Sequence, residues 1–389
     1  GGGWQANSGR SAENVTMVSR ERVKEFEEAG LLHGLEGSDR KARLALLEQL
    51  TEEGFSFEEL RQAADEDRLG LLPVDRVLAG APRYTPREVA ELAGLPLEFL
   101  VATRRAIGVA VPEPDDRVLT DEDLEAAKVT ARLREAGLPE DGLLEVTRVL
   151  GSGLAQGAEA MRMLVARWLL PQGVDERELS LRTVQAARDL LPLTAPLLQY
   201  TLKVHLRDQI RNQQYGFEEL SEIASPSTRQ VFVGFADMVG FTRLGERIEI
   251  TELGELLGRL NDLAYEALQP PARIVKTIGD AVMVVSPAAG ALVETTLSLT
   301  KRVQDEGELP PVRAGLAGGA ALSRDGDWYG PPVNLASRVT DVARAGSVLA
   351  TREVRDAARD GYKWSSAGEF RLRGFSRRVP LYRVRRPPS

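Results

Sequence analysis

Two hydrophobic periods divide this chain. Over residues 17–214 apolar positions recur at helical spacing almost throughout, whereas from residue 230 short runs of β-forming residues alternate with helical stretches. Helix starts in the first part carry capping boxes, Ser56-Phe-Glu-Glu59 and Thr85-Pro-Arg-Glu88, the second with proline at the first helical position. Thr120-Asp-Glu-Asp123 is a weaker version. Gly54-Phe, Gly94-Leu and Gly137-Leu recur about every 40 residues and predict stacked helical hairpins. In each, a left-handed glycine ends one helix and the next apolar residue docks on the core. Over 181–222, Leu190, Leu191, Leu197, Leu198, Leu202 and Leu206 predict one side of a core helix, bent at Pro192 and Pro196. Ser225-Pro-Ser-Thr-Arg229 is a polar break.

The second part reads as strand 230–235, helix 246–268, a hairpin of 273–278 with 281–285, and helix 290–303. Strand 312–322, helix 333–342 and strands 348–350, 370–372 and 381–384 come after it. This succession predicts an α+β fold, ferredoxin-like at heart, preceded by an all-α domain. The expected divisions are a disordered tail (1–16), a helical domain (17–205), a helical connector and linker (206–229) and a second domain (230–389).

The chain has 389 residues, 43% hydrophobic and 28% charged, as in an ordinary globular protein of two domains. Its net charge of −8 argues against nonspecific nucleic-acid binding. With no cysteine, disulfides, thiolate nucleophiles and Cys-based metal sites are excluded, and two histidines, His33 and His205, exclude multi-His sites. No apolar run approaches the ~20 residues that span a bilayer. Residues 1–16 lack an initiator Met and the basic start and apolar core of a signal peptide, so a soluble cytoplasmic protein is expected.

The chemistry concentrates in three separated blocks. In Phe235-Ala-Asp-Met-Val-Gly-Phe-Thr242 an apolar strand delivers one carboxylate, Asp237, into a tight loop, and a lone buried carboxylate is costly without a cation or donors. Lys276-Thr-Ile-Gly-Asp280-Ala-Val-Met places a second carboxylate at a hairpin tip. Alone, each has a simple explanation, a turn or a helix cap. Together they form a hard-oxygen pair suited to Mg²⁺ or Mn²⁺. The third block is Asp327-Trp-Tyr-Gly-Pro-Pro-Val-Asn334-Leu-Ala-Ser-Arg338.

These three blocks, in this order, resemble the signature blocks of class III nucleotidyl cyclases, over roughly residues 230–385. The resemblance implies adenylate cyclase activity, ATP going to 3′,5′-cyclic AMP and pyrophosphate. Asp237 and Asp280 match the metal-binding aspartates, two cations per site. Lys276 and Asp327 match the base-selecting pair: lysine donates to adenine N1 and the carboxylate accepts from the 6-amino group, where guanylyl cyclases usually carry Glu and Cys. Asn334 and Arg338 match the transition-state residues, and four residues apart on a helix they share one face. The backbone of Val239, Gly240, Phe241 and Thr242 would cradle phosphate at a helix entry. Arg373, with Arg371 beside it, stands where cyclases often keep a basic phosphate contact, although a solvated edge strand explains both equally well. In the family the metal aspartates come from one subunit and the base-selecting and transition-state residues from the other, which implies a homodimer through the catalytic domains.

The helical half resembles the regulatory domain of autoinhibited actinobacterial cyclases. Within it, Tyr84-Thr-Pro-Arg-Glu-Val-Ala-Glu-Leu-Ala-Gly94, with Thr120-Asp-Glu-Asp-Leu-Glu and Leu133-Arg-Glu-Ala-Gly137, resembles a MerR-type helix-turn-helix. A DNA-binding regulator with a degenerate nucleotide-sensing cyclase domain is therefore the alternative. The candidate recognition helix at 97–105 carries few bases, which favours protein contacts over phosphate contacts. His205, where the helical domain meets the connector, is a candidate pH sensor, since a histidine ordinarily changes charge at about pH 6.5. An ordinary surface histidine is the competing reading.

Overall fold

In a computed structural model the described residues are 20–169, 176–212 and 228–387. The tail at 1–16, the end of the connector at 213–227 and most of the polar break lie outside them. Contacts divide the chain into two units between Leu202 and Lys203.

The first unit is helical. It runs through α1 (Arg20–Glu28), α2 (Gly37–Glu52), α3 (Phe57–Asp65), α4 (Leu72–Ala79), α5 (Pro86–Ala93) and α6 (Leu97–Ile107). Then come α7 (Asp121–Glu135), α8 (Glu140–Leu169) and α9 (Glu176–Asn212), whose last residues fall in the second unit. The three capping boxes form: the side chains of Ser56, Thr85 and Thr120 each accept from the backbone N–H three residues on. One core gathers Phe26, Leu46, Leu47, Leu50 and Leu60; another gathers Val89, Phe99, Leu100, Leu119 and Leu124, closed by a bridge between Tyr84 and Leu119. In that second group Arg104 of α6 is paired with Asp123 at 2.7 Å, so one of the two adjacent bases of the candidate recognition helix is already engaged.

Two expectations need correction here. Gly54, Gly94 and Gly137 all have positive φ, and Phe55 and Leu95 are buried, but Leu138 is 46% exposed, so the third copy of the repeat does not dock on the core. The chain stays helical through Pro192 and Pro196. Yet Leu191, Leu197, Leu198, Leu202 and Leu206 are all exposed, so among the described residues no core covers this side of the helix.

The second unit contains β1 (Arg229–Met238), α10 (Phe241–Gly245), α11 (Ile250–Ala267), β2 (Arg273–Ile278), β3 (Ala281–Ser286) and α12 (Ala289–Glu306). It continues with β4 (Val312–Arg324), β5 (Asp327–Tyr329), α13 (Pro331–Val342), β6 (Val348–Ala350), α14 (Arg352–Ala357), β7 (Lys363–Phe370) and β8 (Val379–Arg385). The sheet order is β2-β3-β1-β4-β6-β8-β7, with β5 paired to β4. The antiparallel set β2-β3-β1-β4 with two crossover helices is the ferredoxin-like heart. The helix expected at 246–268 is α11, and the short α10 precedes it. The strand expected at 370–372 is instead β7, so Arg371 and Arg373 lie in the turn after an edge strand.

Alternation along the strands sorts the faces. Ala236, Met238, Ala314 and Leu316 pack with residues of α11 and α12. Val231, Val233, Met283, Ala317 and Trp328 share the other face with Ala336 of α13. Helix α13 lies very close to β4: a Cβ on Gly315 would stand 2.2 Å from the Thr340 nitrogen and 2.6 Å from the Ala336 oxygen. Replacing Gly315 with alanine is therefore expected to lift α13 and to cost about 1–3 kcal/mol, read as a lowered Tm. Gly254→Ala in α11, where a Cβ meets nothing within 4 Å, should leave Tm unchanged or slightly raised.

Candidate active site

Asp237 is the penultimate residue of β1, on the face that α13 partly covers. Its register partners are Ala281 on β3 and Arg313 on β4. Arg313 is absent from the residues that the sequence motifs single out, yet its Nη2 and Nε donate to Asp237 Oδ2 at 2.8 and 3.2 Å. Its Nη1 donates to the Asp341 carbonyl at 2.9 Å. The only signal for it in the sequence is a base at the start of a buried strand, and that says nothing of which carboxylate lies opposite.

Asp280 comes after Gly279, whose φ of 58° makes the tight turn between β2 and β3. The Met238 N–H donates to the Asp280 carbonyl at 3.3 Å, which brings the turn to the end of β1. Burial, and then the neighbouring Asp237 carboxylate, push Asp280 up to about 6. Among the described residues, these two crowded carboxylates with Arg313 beside them form an oxygen donor set short of positive charge. Among the described residues no group of three or more His, Cys, Asp or Glu could hold a metal, so the protein's share would be these two carboxylates. That fits Mg²⁺ or Mn²⁺, which keep water and substrate oxygens as their remaining ligands.

Lys276, opposite Met283 on β2, lies on the same face, and it forms an ion pair with Asp327 of β5. Asp327 also accepts from the Trp328 N–H at 2.8 Å, and the buried Trp328 ring, with the Arg273 guanidinium 5.7 Å from its centroid, anchors this short strand. On α13, Asn334 is exposed and Arg338 is paired with Asp341 at 3.2 Å. Among the described residues no hydrogen bond or ion pair joins Asp237 or Asp280 to Lys276, Asp327, Asn334 or Arg338.

The loop residues are placed less uniformly. Gly240, with φ of 81°, leads into α10, and Phe241 and Thr242 open its first turn, where N–H groups have no carbonyl behind them. Val239 is a correction: its N–H already donates to the Pro311 carbonyl at 2.9 Å and is not free to hold phosphate. Arg373 is exposed, as is His205 on α9.

Known proteins show the same layout. Residues 24–210 match the family model of the adenylate cyclase regulatory domain, and residues 223–385 that of the adenylate and guanylate cyclase catalytic domain. A pH-sensitive adenylate cyclase of Mycobacterium tuberculosis is 40% identical over 378 residues, 94% of this chain and 94% of that one. An adenylate cyclase of Streptomyces coelicolor is 32% identical over 290 residues, 73% and 74% of the two chains. Among solved structures, the adenylyl cyclase CyaB from P. aeruginosa aligns with 41% of this chain and 95% of its own, at 26% identity and a TM-score of 0.35. These matches give the DNA-binding alternative no support. The chain belongs to the adenylate cyclases in which a helical regulatory domain precedes the cyclase catalytic domain.

Proposed function

We propose that this chain converts ATP to 3′,5′-cyclic AMP and pyrophosphate, as a cytoplasmic enzyme, at two composite sites of a homodimer. The observation that carries the reading is the carboxylate pair at the end of β1 and the β2–β3 turn, where Asp237 helps raise Asp280. Such a pair is at ease only with added positive charge. Divalent cations, two per site, would supply activation of the ribose 3′-hydroxyl and neutralise charge on the phosphates. Arg313 meanwhile keeps the Asp237 carboxylate oriented.

Lys276 and Asp327 present a donor and an acceptor side by side, the pattern that adenine N1 and its 6-amino group complement. Without a base they satisfy each other. Asn334 orients the ribose, and Arg338, released from Asp341, meets charge developing at the α-phosphate. The N–H groups of Gly240, Phe241 and Thr242, with Arg373, receive the outer phosphates. The absence of a bond between the aspartates and the base-selecting pair among the described residues supports a site completed by a second copy. So do the exposed leucines of α9, an apolar face of the kind that association covers. The test is incubation with ATP or GTP and Mn²⁺. Cyclic AMP and pyrophosphate from ATP are expected, and no cyclic product from ATP would end the reading.

A pH response is proposed as well, and two residues bear on it separately. Asp280 titrates at about 6 where its ordinary value is 3.8, so the folded, metal-free chain keeps a proton through that window which the unfolded chain has released. Its contribution to stability without metal therefore falls as pH rises through the window. Metal ligation needs the carboxylate, so below pH 6 the metal concentration for half-maximal activity should rise about tenfold per pH unit. His205 would act through the regulatory half. If it does, His205→Ala shifts the pH–activity curve at saturating metal; superimposable curves would remove it from the mechanism.

A further inference from the structure

The catalytic unit has a second concentration of charge that the proposed reaction does not use. A cavity of about 440 Å³ opens at the end of the sheet, between the second half of α12, the loop from α13 to β6, and the end of β8. Lys301, Arg344, Arg383, Arg385 and Arg386 line it, and among the described residues no Asp or Glu does. In a chain of net charge −8, five cations around one carboxylate-free cavity are far from a random sample of the surface. Lys301 is held by Asp305 at 2.8 Å and Arg386 by Glu294 at 2.5 Å. Among the described residues, Arg344, Arg383 and Arg385 have no ion pair. The Nε of Arg383 is also buried without any hydrogen-bond partner. A buried donor left unpaired is costly, and Arg344 and Arg385, exposed beside it, offer guanidinium groups with no carboxylate partner among the described residues.

A ligand with several anionic oxygens satisfies both. Guanidinium forks match phosphate oxygens, the volume falls within the usual ~300–1,000 Å³ of small-molecule sites, and the cations come from both faces of the sheet end. Val384 belongs to the core under α12, whereas Leu381 packs with Leu349 on the other face, and Arg383 and Arg385 alternate with Val384. We propose that this cavity binds a multiply charged phosphate anion, separately from the metal aspartates.

The site is wired to the catalytic face through its loop. Gly346 N donates to Val312 O at 2.9 Å, and Ala314 N donates to Ser347 O at 3.0 Å, so the loop is bonded to β4 on either side of Arg313. Arg313 in turn bonds Asp237 and the Asp341 carbonyl, three residues before Arg344. An anion that orders Arg344 and its loop thereby bears on the residue that positions Asp237, which makes it a modulator of the cyclase and not a substrate.

The test is calorimetric titration of the full chain with tripolyphosphate and, separately, ADP, in EDTA and at constant ionic strength. Two variants accompany the wild type: Arg344→Gln with Arg385→Gln, both exposed and so compatible with folding, and Arg383→Gln. Binding by the wild type, at least about tenfold weaker in both variants, is the expected result. A preference for tripolyphosphate identifies an inorganic anion, and a preference for ADP a nucleotide. Absence of binding to the wild type, or equal binding by wild type and variants, overturns the proposal. Because the measurement is made without metal and without turnover, its failure leaves the proposed reaction untouched.

Discussion

Mixing Asp237→Ala chains with Asn334→Ala chains is expected to restore cyclase activity that neither variant has alone. On the proposed composite site, Asp237→Ala would remove a metal ligand from both sites of its own dimer and Asn334→Ala the ribose contact from both of its own, each costing about 10²–10³ or more in rate. In the mixed dimer the two lesions fall together in one site and leave the other whole. Random pairing makes half the dimers mixed, each with one intact site of two, so about a quarter of wild-type activity should return. Both substitutions leave the sheet core alone, since Asp237 sits at a strand end and Asn334 is exposed. If the site were complete within one chain, mixing would add nothing. Mixed dimers shown to form by mass, yet inactive, would refute the composite site.

That experiment tests residues legible as motifs, and motifs show identity better than setting. Asp237, Asp280, Lys276 and Asp327 each stand in a local pattern, a strand end, a turn or a short block, and local patterns survive in one dimension. Arg313 does not, because its meaning is a cross-strand partner more than seventy residues earlier in the chain, and register is set by packing. For the same reason the loop at Val239 reads in sequence as a row of free N–H groups, when one of them is spent on Pro311. Strand β7 escapes a sequence reading because Lys363-Trp-Ser-Ser-Ala-Gly-Glu-Phe370 is an edge strand, exposed and polar on much of its length, and carries little of the apolar signal of the inner strands. The helical half matches its capping boxes closely. Its long helix α9 departs from expectation where its leucines meet no core, since a helical period states that a face is apolar and not which surface covers it.

The largest change in specificity should come from Lys276→Glu combined with Asp327→Cys. Guanine presents N1–H and O6 where adenine presents N1 and the 6-amino group, so every donor must become an acceptor and the reverse. A site built to pair with one edge rejects the other because its own polar groups are left unpaired. Lys276 and Asp327 are 40% and 23% exposed, so water softens that penalty, and kcat/KM for ATP is expected to fall by about 10²-fold or more while GTP turnover appears. The pair's own ion bridge should matter little to folding, about 0–1 kcal/mol for partly exposed charges, so Tm should stay close to wild type. That separation decides between two roles. If Lys276 and Asp327 merely pin β5 against β2, the double variant melts earlier and loses activity on both nucleotides alike. If they read the base, Trp328, still buried behind them, keeps the strand in place and the ATP-to-GTP ratio inverts at constant Tm. An unchanged preference for ATP in a folded double variant would remove both residues from base selection.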